Sequence, residues 1–256
     1  VDANSIYRSI DRGAPVWYTA QLRVAGNLDE MGHTDQAVSL LRDLAMARTS
    51  TPDALLNLGE VLRKDEQFRA AAEAYTVALT RIPKIENRHW ALFYSRGICL
   101  ERSKQWNQAE SDFLRALELE PDQPYVLNYL GYSWVEQGVH LDKARSMIEK
   151  AVSLRPTDGY IVDSLGWVLY RTGDYKEAAT RLERAAELRP DDATINDHLG
   201  DALWRAGRQD EARFQWQRAQ ALAEDDKTKT EINQKLRAGL PETVAGTGAA
   251  VPGAPK

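Results

Sequence analysis

Ser164, Asp197 and His198 are the residues of this chain that could make a nucleophilic relay, since a hydroxyl, an imidazole and a carboxylate are the parts acyl transfer uses. Ser164 and His198 stand 34 residues apart at corresponding positions, and Asp197 adjoins the histidine. Asp197 precedes His198 on one helix and so projects in another direction, and no oxyanion donors are suggested, so no catalytic residue is assigned. Asp197, His198 and Asp201 supply two carboxylates and one imidazole from a single helix, short of a metal-binding set. The remaining histidines, His33, His89 and His140, lie far from one another in sequence, and the single cysteine, Cys99, excludes an internal disulfide framework and a multi-cysteine metal site. Cys99 sits beside an apolar crossing point, as a small buried hydrophobe does. Glycine-rich phosphate loops, HExxH and nucleophile elbows are absent. The expectation is a protein that is no enzyme and carries neither metal nor cofactor.

Composition narrows the class further. The chain has 256 residues, 33 Lys plus Arg against 38 Asp plus Glu, and a pI near 5.5. No basic block marks a nucleic-acid partner, and no apolar run approaches the roughly 18 residues of a spanning helix. Seven Trp and ten Tyr against four Phe favour rings with a polar edge, which suit surfaces that are both apolar and wet.

The elements that must position these residues follow from a period. Ala25, Gly59, Gly97, Gly131, Gly166 and Gly200 are separated by 34, 38, 34, 35 and 34 residues. Twelve residues after most of them comes Ala37, Ala71, Ala109, Ala178 or Ala212, and sixteen after comes Leu41, Tyr75, Phe113, Leu182 or Trp216; Ala144 and Ile148 are displaced by one. Two antiparallel helices per unit satisfy this spacing. Val162, Leu165, Gly166 and Leu169 fall on one face of the first helix, and Ala178, Leu182 and Ala185 on one face of the second. Thr51-Pro52, Asp122, Asp158 and Asp192 mark helix starts, and Gly138, Gly173 and Gly207 supply left-handed turns between helices.

This pattern resembles the tetratricopeptide repeat, best in LGWVLYRTGDYKEAATRLERAAELRP at 165–190. The resemblance implies an all-α fold, a right-handed superhelical solenoid of antiparallel helix pairs, with six repeats at about 18–49, 52–83, 90–121, 124–156, 159–190 and 193–223 within 15–223. It departs from the family at the first aromatic position, where Gln21, Leu55, Phe93, Leu127, Val162 and Asn196 stand. The stretch GYSWVEQGVHLDKARSMIEKAV at 131–152 is similar to repeats of bacterial cell-envelope proteins, including protease-adaptor lipoproteins, which favours a periplasmic or envelope-associated place over a cytoplasmic one. Four extra residues within 82–89 extend a helix or interrupt the stack, and an interruption would separate the first two repeats from the rest. Residues 1–14, with Ala3, Tyr7 and Ile10 as a buried stripe, read as the second helix of a truncated preceding repeat in a longer protein, able to self-associate through its open end. Residues 224–238 read as a polar capping helix, and 239–256 as a disordered Gly/Ala/Pro tail.

In such a stack the first helices line a groove. The groove positions carry Tyr94, Tyr125, Asn128, Tyr129, Tyr132, Tyr160, Asp163, Trp167, Tyr170, Arg171, Asp197, Asp201, Trp204 and Arg205. Tyr129, Tyr132 and Trp167 are expected to face the groove, because Leu127, Leu130, Val162 and Leu165 already supply the core face. Asn128, Asp163 and Asp197 would set register by hydrogen bonding. The Lys and Asn with which family proteins grip a terminal carboxylate are replaced by Leu22, Leu56 and Tyr94. The sequence thus predicts a scaffold or adaptor that binds a protein or peptide segment in an aromatic-lined groove; the alternative is a regulatory or substrate-presenting region of an enzyme whose catalytic domain lies upstream.

Overall fold

A computed structural model describes residues 3–241, without the side chains of Ala3 and Arg8, so the expected burial of Ala3 and the tail over 242–256 lie outside the described residues. Among the described residues there are fourteen α-helices, one 3-10 turn and no strand, and no helix is long and apolar enough to cross a membrane. The chain divides into two compact units after Pro121, rather than at 82–89.

Unit 1 contains α1 (Ala3–Arg8), then the pairs α2 (Trp17–Glu30) with α3 (Thr34–Ala47), α4 (Asp53–Lys64) with α5 (Phe68–Thr80), and α6 (Trp90–Arg102) with α7 (Trp106–Leu119). The extra residues at 82–89 form a short loop and the 3-10 turn Asn87–His89 leading directly into α6, and α5 still packs on α6. The first helix is shorter than the expected 1–14: it stops at Arg8, and Asp11 folds back to accept from the Gly13 amide at 2.7 Å. Its buried residue is Asn4, whose Oδ1 accepts from Asn27 Nδ2 at 2.8 Å, while Tyr7 and Ile10 are half-buried.

Unit 2 contains α8 (Pro124–Gln137) with α9 (Leu141–Leu154), α10 (Gly159–Arg171) with α11 (Tyr175–Leu188), α12 (Ala193–Arg205) with α13 (Gln209–Leu222), and α14 (Asp226–Ala238).

Each pair is locked where the glycine of the first helix meets the large residue sixteen or seventeen places on. A Cβ built on Gly59, Gly97, Gly131, Gly166 or Gly200 would lie 2.4–2.8 Å from Tyr75, Phe113, Ile148, Leu182 or Trp216 respectively, so a side chain there would push the helices apart. The alanines Ala37, Ala71, Ala109, Ala144, Ala178 and Ala212 are fully buried. Asp158 accepts from the amides of Tyr160 and Ile161, and Asp192 from that of Ile195, as N-caps do. Asp122 does not cap α8: Gln123 accepts from the Tyr125 amide instead, and Asp122 pairs with Lys150. Thr51 likewise makes no cap, because Pro52 holds the N-cap position of α4. The helix-to-helix turns need a left-handed residue, which is glycine at Gly32, Gly138, Gly173 and Gly207 but Glu66 and Lys104 in the other pairs.

Candidate functional site

Apart from Tyr125 and Tyr160, the groove positions of unit 2 do not stand open to solvent; they build a seam between successive first helices. Asp163, Trp167 and Arg171 recur every fourth residue down α10, and each is taken by a neighbouring first helix or its side chain. His198 Nδ1 of α12 donates to Asp163 Oδ1 at 2.9 Å. The Trp167 ring lies parallel to His198 with centroids 4.0 Å apart, and to Tyr170 at 4.8 Å. Trp167 Nε1 donates to Glu136 Oε1 of α8 at 2.6 Å, and Arg171 Nη1 donates to the same oxygen at 3.1 Å.

Tyr132 and Trp167, expected in the groove, are therefore buried, at 4% and 2% exposure, and Tyr129 is half-buried. The reason is steric. The repeat pattern makes the second helix one neighbour of each first helix, but the next first helix is another, and large rings fill the narrow space between them. Asn128 is also buried, and its Oδ1 accepts no hydrogen bond among the described residues. Leu127, Leu130, Val162 and Leu165 form the opposite buried stripe as expected.

Burial sets the electrostatics of the seam. Desolvation alone would lower the His198 pKa, but the bonded Asp163 carboxylate, with Asp197 and Asp201 nearby, holds the imidazole above its ordinary value. Asp201 is pushed up to about 6 by burial and by the neighbouring Asp197, although Lys235 and the Trp216 indole both bond to it. Trp216 Nε1 donates to Asp201 Oδ1 at 2.9 Å, and Lys235 Nζ donates to Asp197 Oδ2 at 2.7 Å and Asp201 Oδ2 at 2.9 Å.

The possible relay does not assemble. Ser164 Oγ donates to the Tyr160 carbonyl one turn back at 3.0 Å, His198 faces Asp163, and Asp197 faces Lys235. Among the described residues no group of three His, Cys, Asp or Glu is arranged to hold a metal ion. Cys99 is fully buried, with its thiol pushed up to about 12 by burial, so it is an inert core residue.

The other sequence-picked residues scatter. Tyr125 and Tyr160 are exposed, each under a guanidinium, Arg155 at 5.2 Å and Arg189 at 4.5 Å. Trp204 is half-buried, 5.3 Å from Trp216, and Arg205 Nη2 donates to the Pro241 carbonyl at 2.7 Å. Tyr94 belongs to unit 1, half-buried against Trp90 and Phe113.

An open surface exists where sequence reasoning did not look. In unit 1 a cleft of roughly 420 Å³ lies between α2 and α4, lined among others by Leu22, Arg23, Gly26, Asn57, Glu60 and Lys64. Gly26 has nothing within 4 Å of where a Cβ would stand. The absence of a side chain at Gly26, one residue after the crossing alanine, is the signal in the sequence that could have found it.

The repeated Gly-to-large crossing and the stacked pairs define a helical-repeat protein. The tetratricopeptide repeat family model matches residues 27–84 and 164–226, one stretch in each unit, and the chain belongs to that family. A TPR repeat-containing protein of Pseudomonas aeruginosa is 33% identical over 180 residues, covering 67% of this chain and 29% of that protein. The chain spans under a third of the length of the curated relatives it matches, at 29%, 25% and 28%. Among solved structures, the Cut9–Hcn1 hetero-tetramer of the APC/C superposes with a TM-score of 0.75 at 14% identity, covering 93% of this chain and 46% of that one. YrrB, described as a TPR protein with an unusual peptide-binding site, superposes with a TM-score of 0.57 at 19% identity over 74% of this chain and 94% of that one. At these identities the two structures share the fold alone.

Proposed function

We propose that the protein is a non-catalytic scaffold that holds a segment of another protein against the first helices of its repeats, principally in the cleft between α2 and α4. The observation that carries this reading is that the cleft is open while the equivalent face of unit 2 is filled by its own side chains. Leu22 and Val61 offer apolar contact, and the exposed carboxamide of Asn57 offers both a donor and an acceptor, which is what an extended main chain needs. Two of the lining carboxylates are already taken, Glu60 by the neighbouring Arg63 at 2.6 Å and Asp29 by Lys64 at 3.3 Å, so these pairs shape the cleft more than they attract a charged ligand. The peptide-binding site named for YrrB supports the reading at the level of the fold. In unit 2 the exposed rings of Tyr125 and Tyr160 serve as secondary contacts.

The test places a photoreactive amino acid at position 57 of the full chain, in extract of the source cell. A protein adduct at 57 that disappears in Gly26→Tyr, whose new ring fills the cleft, is the expected result. No adduct at 57, with adducts formed from the exposed position 214 on α13, would remove the cleft from consideration.

A further inference from the structure

The two aspartates at corresponding places in α10 and α12, each three residues before its crossing glycine, are handled differently. Asp163 is met by His198 from the next first helix. Asp197 is met by Lys235 from α14, so α14 takes the place that a further first helix would hold. Its grip is unlike that of the other helices of unit 2. In DKTKTEINQKLRA, the sequence of α14, Ile232 is the buried residue, where α12 buries eight. What holds α14 is polar: Lys235 between Asp197 and Asp201, and the Gln220 amide on Asn233 at 2.6 Å. Beyond the helix, Gly239, expected to begin a tail that packs on nothing, is buried instead. Its φ is +70°, and a Cβ there would stand 2.0 Å from the Trp204 ring, so the backbone lies flat on the indole. Pro241 then offers its carbonyl to Arg205.

This face of α12 is shaped around the segment that covers it. It has two carboxylates spaced to take one ammonium, an indole that accepts only a glycine-like backbone, and a guanidinium that takes a carbonyl. Among the described residues its occupant satisfies it incompletely: Asp197 Oδ1 and Arg205 Nε are buried atoms without a hydrogen-bond partner there. A buried ion pair recovers little net energy after both partners lose water, so Lys235 fixes where α14 sits more than how firmly it sits. A helix with one buried apolar residue opens before helices with many.

We propose that the face of α12 formed by Asp197, Asp201, Trp204 and Arg205 is a docking site for a lysine-bearing helical segment of another protein, with glycine four residues after the lysine, and that α14 with Gly239–Pro241 fills it as a displaceable internal competitor. The proposal rests on the scaffold reading and adds to it a second surface, a partner chemistry and a built-in gate.

The experiment uses the full chain and a fluorescent synthetic peptide of residues 226–241 as the probe. Hydrogen exchange of the unmodified chain is expected to release the α14 amides well before those of α12 and α13. The peptide is expected to bind a Lys235→Ala chain roughly tenfold or more tighter than the wild-type chain, whose site is occupied. Peptides carrying Lys235→Ala or Gly239→Leu should lose that binding. If the Lys235→Ala chain does not fold, Gly239→Ala in the chain loosens the competitor without touching the carboxylates. Exchange of α14 as slow as that of α12, or equal peptide affinity for wild-type chain and both variants, overturns the proposal. Dimerisation of the full chain with rising concentration would make the occupant a second copy's α14 and overturn it as stated. The Gly26→Tyr chain should bind peptide as wild type does; if it also keeps its partner affinity, the cleft reading fails while this one stands.

Discussion

The rings of Trp167 and His198 lie parallel with centroids 4.0 Å apart, the tryptophan from α10 and the histidine from α12. This contact turns residues that would have been a ligand platform into a joint between repeats. Trp167→Ala should therefore lower the stability of unit 2 by about 3–5 kcal/mol, the range for emptying a buried aromatic site. Chemical denaturation followed by circular dichroism measures it. A loss under about 1 kcal/mol would mean that the ring is not a packing element.

The same joint should make unit 2 pH-sensitive. His198 is raised above its ordinary 6.5, so its stabilising charge is complete below that value and is lost as pH rises through the folded value. Asp201 is also raised, from 3.8 to about 6, so the folded state holds its proton more tightly than the unfolded state and loses that advantage as pH climbs past about 6. Both groups act in one direction, and the Tm of unit 2 should fall from pH 5 to pH 8. Calorimetry of wild type and His198→Asn should show the upper part of the slope flattened in the variant; a Tm that rises over this window would contradict the assignment.

Lys104 turns the chain between α6 and α7 at φ +62°, where four of the equivalent turns use glycine. Lys104→Gly should stabilise unit 1 by about 0.5–1 kcal/mol, because the strain of a left-handed side-chain-bearing residue is relieved. The unfolded chain gains some freedom from the glycine, which trims the benefit. Thermal melts decide it.

The crossing contacts predict the reverse sign. Gly200→Ala would bring a Cβ 2.4 Å from the Trp216 indole, whose Nε1 is fixed on Asp201, and should destabilise unit 2 by about 1–3 kcal/mol.

How far the chain could be read in advance differs between the fold and the site. The pairing of helices was legible because it needs a small residue opposite a large one at a fixed interval, and Gly59 with Tyr75 or Gly166 with Leu182 state that interval directly. The seam was not legible. Periodicity marks which side of α10 meets α11, but the distance between α10 and α12 depends on how the pairs stack, and that decides whether Trp167 is solvent-facing or sandwiched. The role of Lys235 was hidden for another reason: a lysine in a polar helix ordinarily points to water, and its two carboxylate partners lie 34 and 38 residues earlier. The cleft at Gly26 was missed because it is defined by an absent side chain.

The proposed function puts partner recognition in the α2–α4 cleft and not on the aromatic seam. Once a partner has been recovered through a photoreactive residue at position 57, its affinity for wild type, Gly26→Tyr and Trp167→Phe, each verified as folded, is the most direct measurement. The account predicts a loss of roughly tenfold or more for Gly26→Tyr and less than about twofold for Trp167→Phe, whose ring is 2% exposed. Undiminished affinity in Gly26→Tyr together with a large loss in Trp167→Phe would contradict it and return recognition to the seam of unit 2.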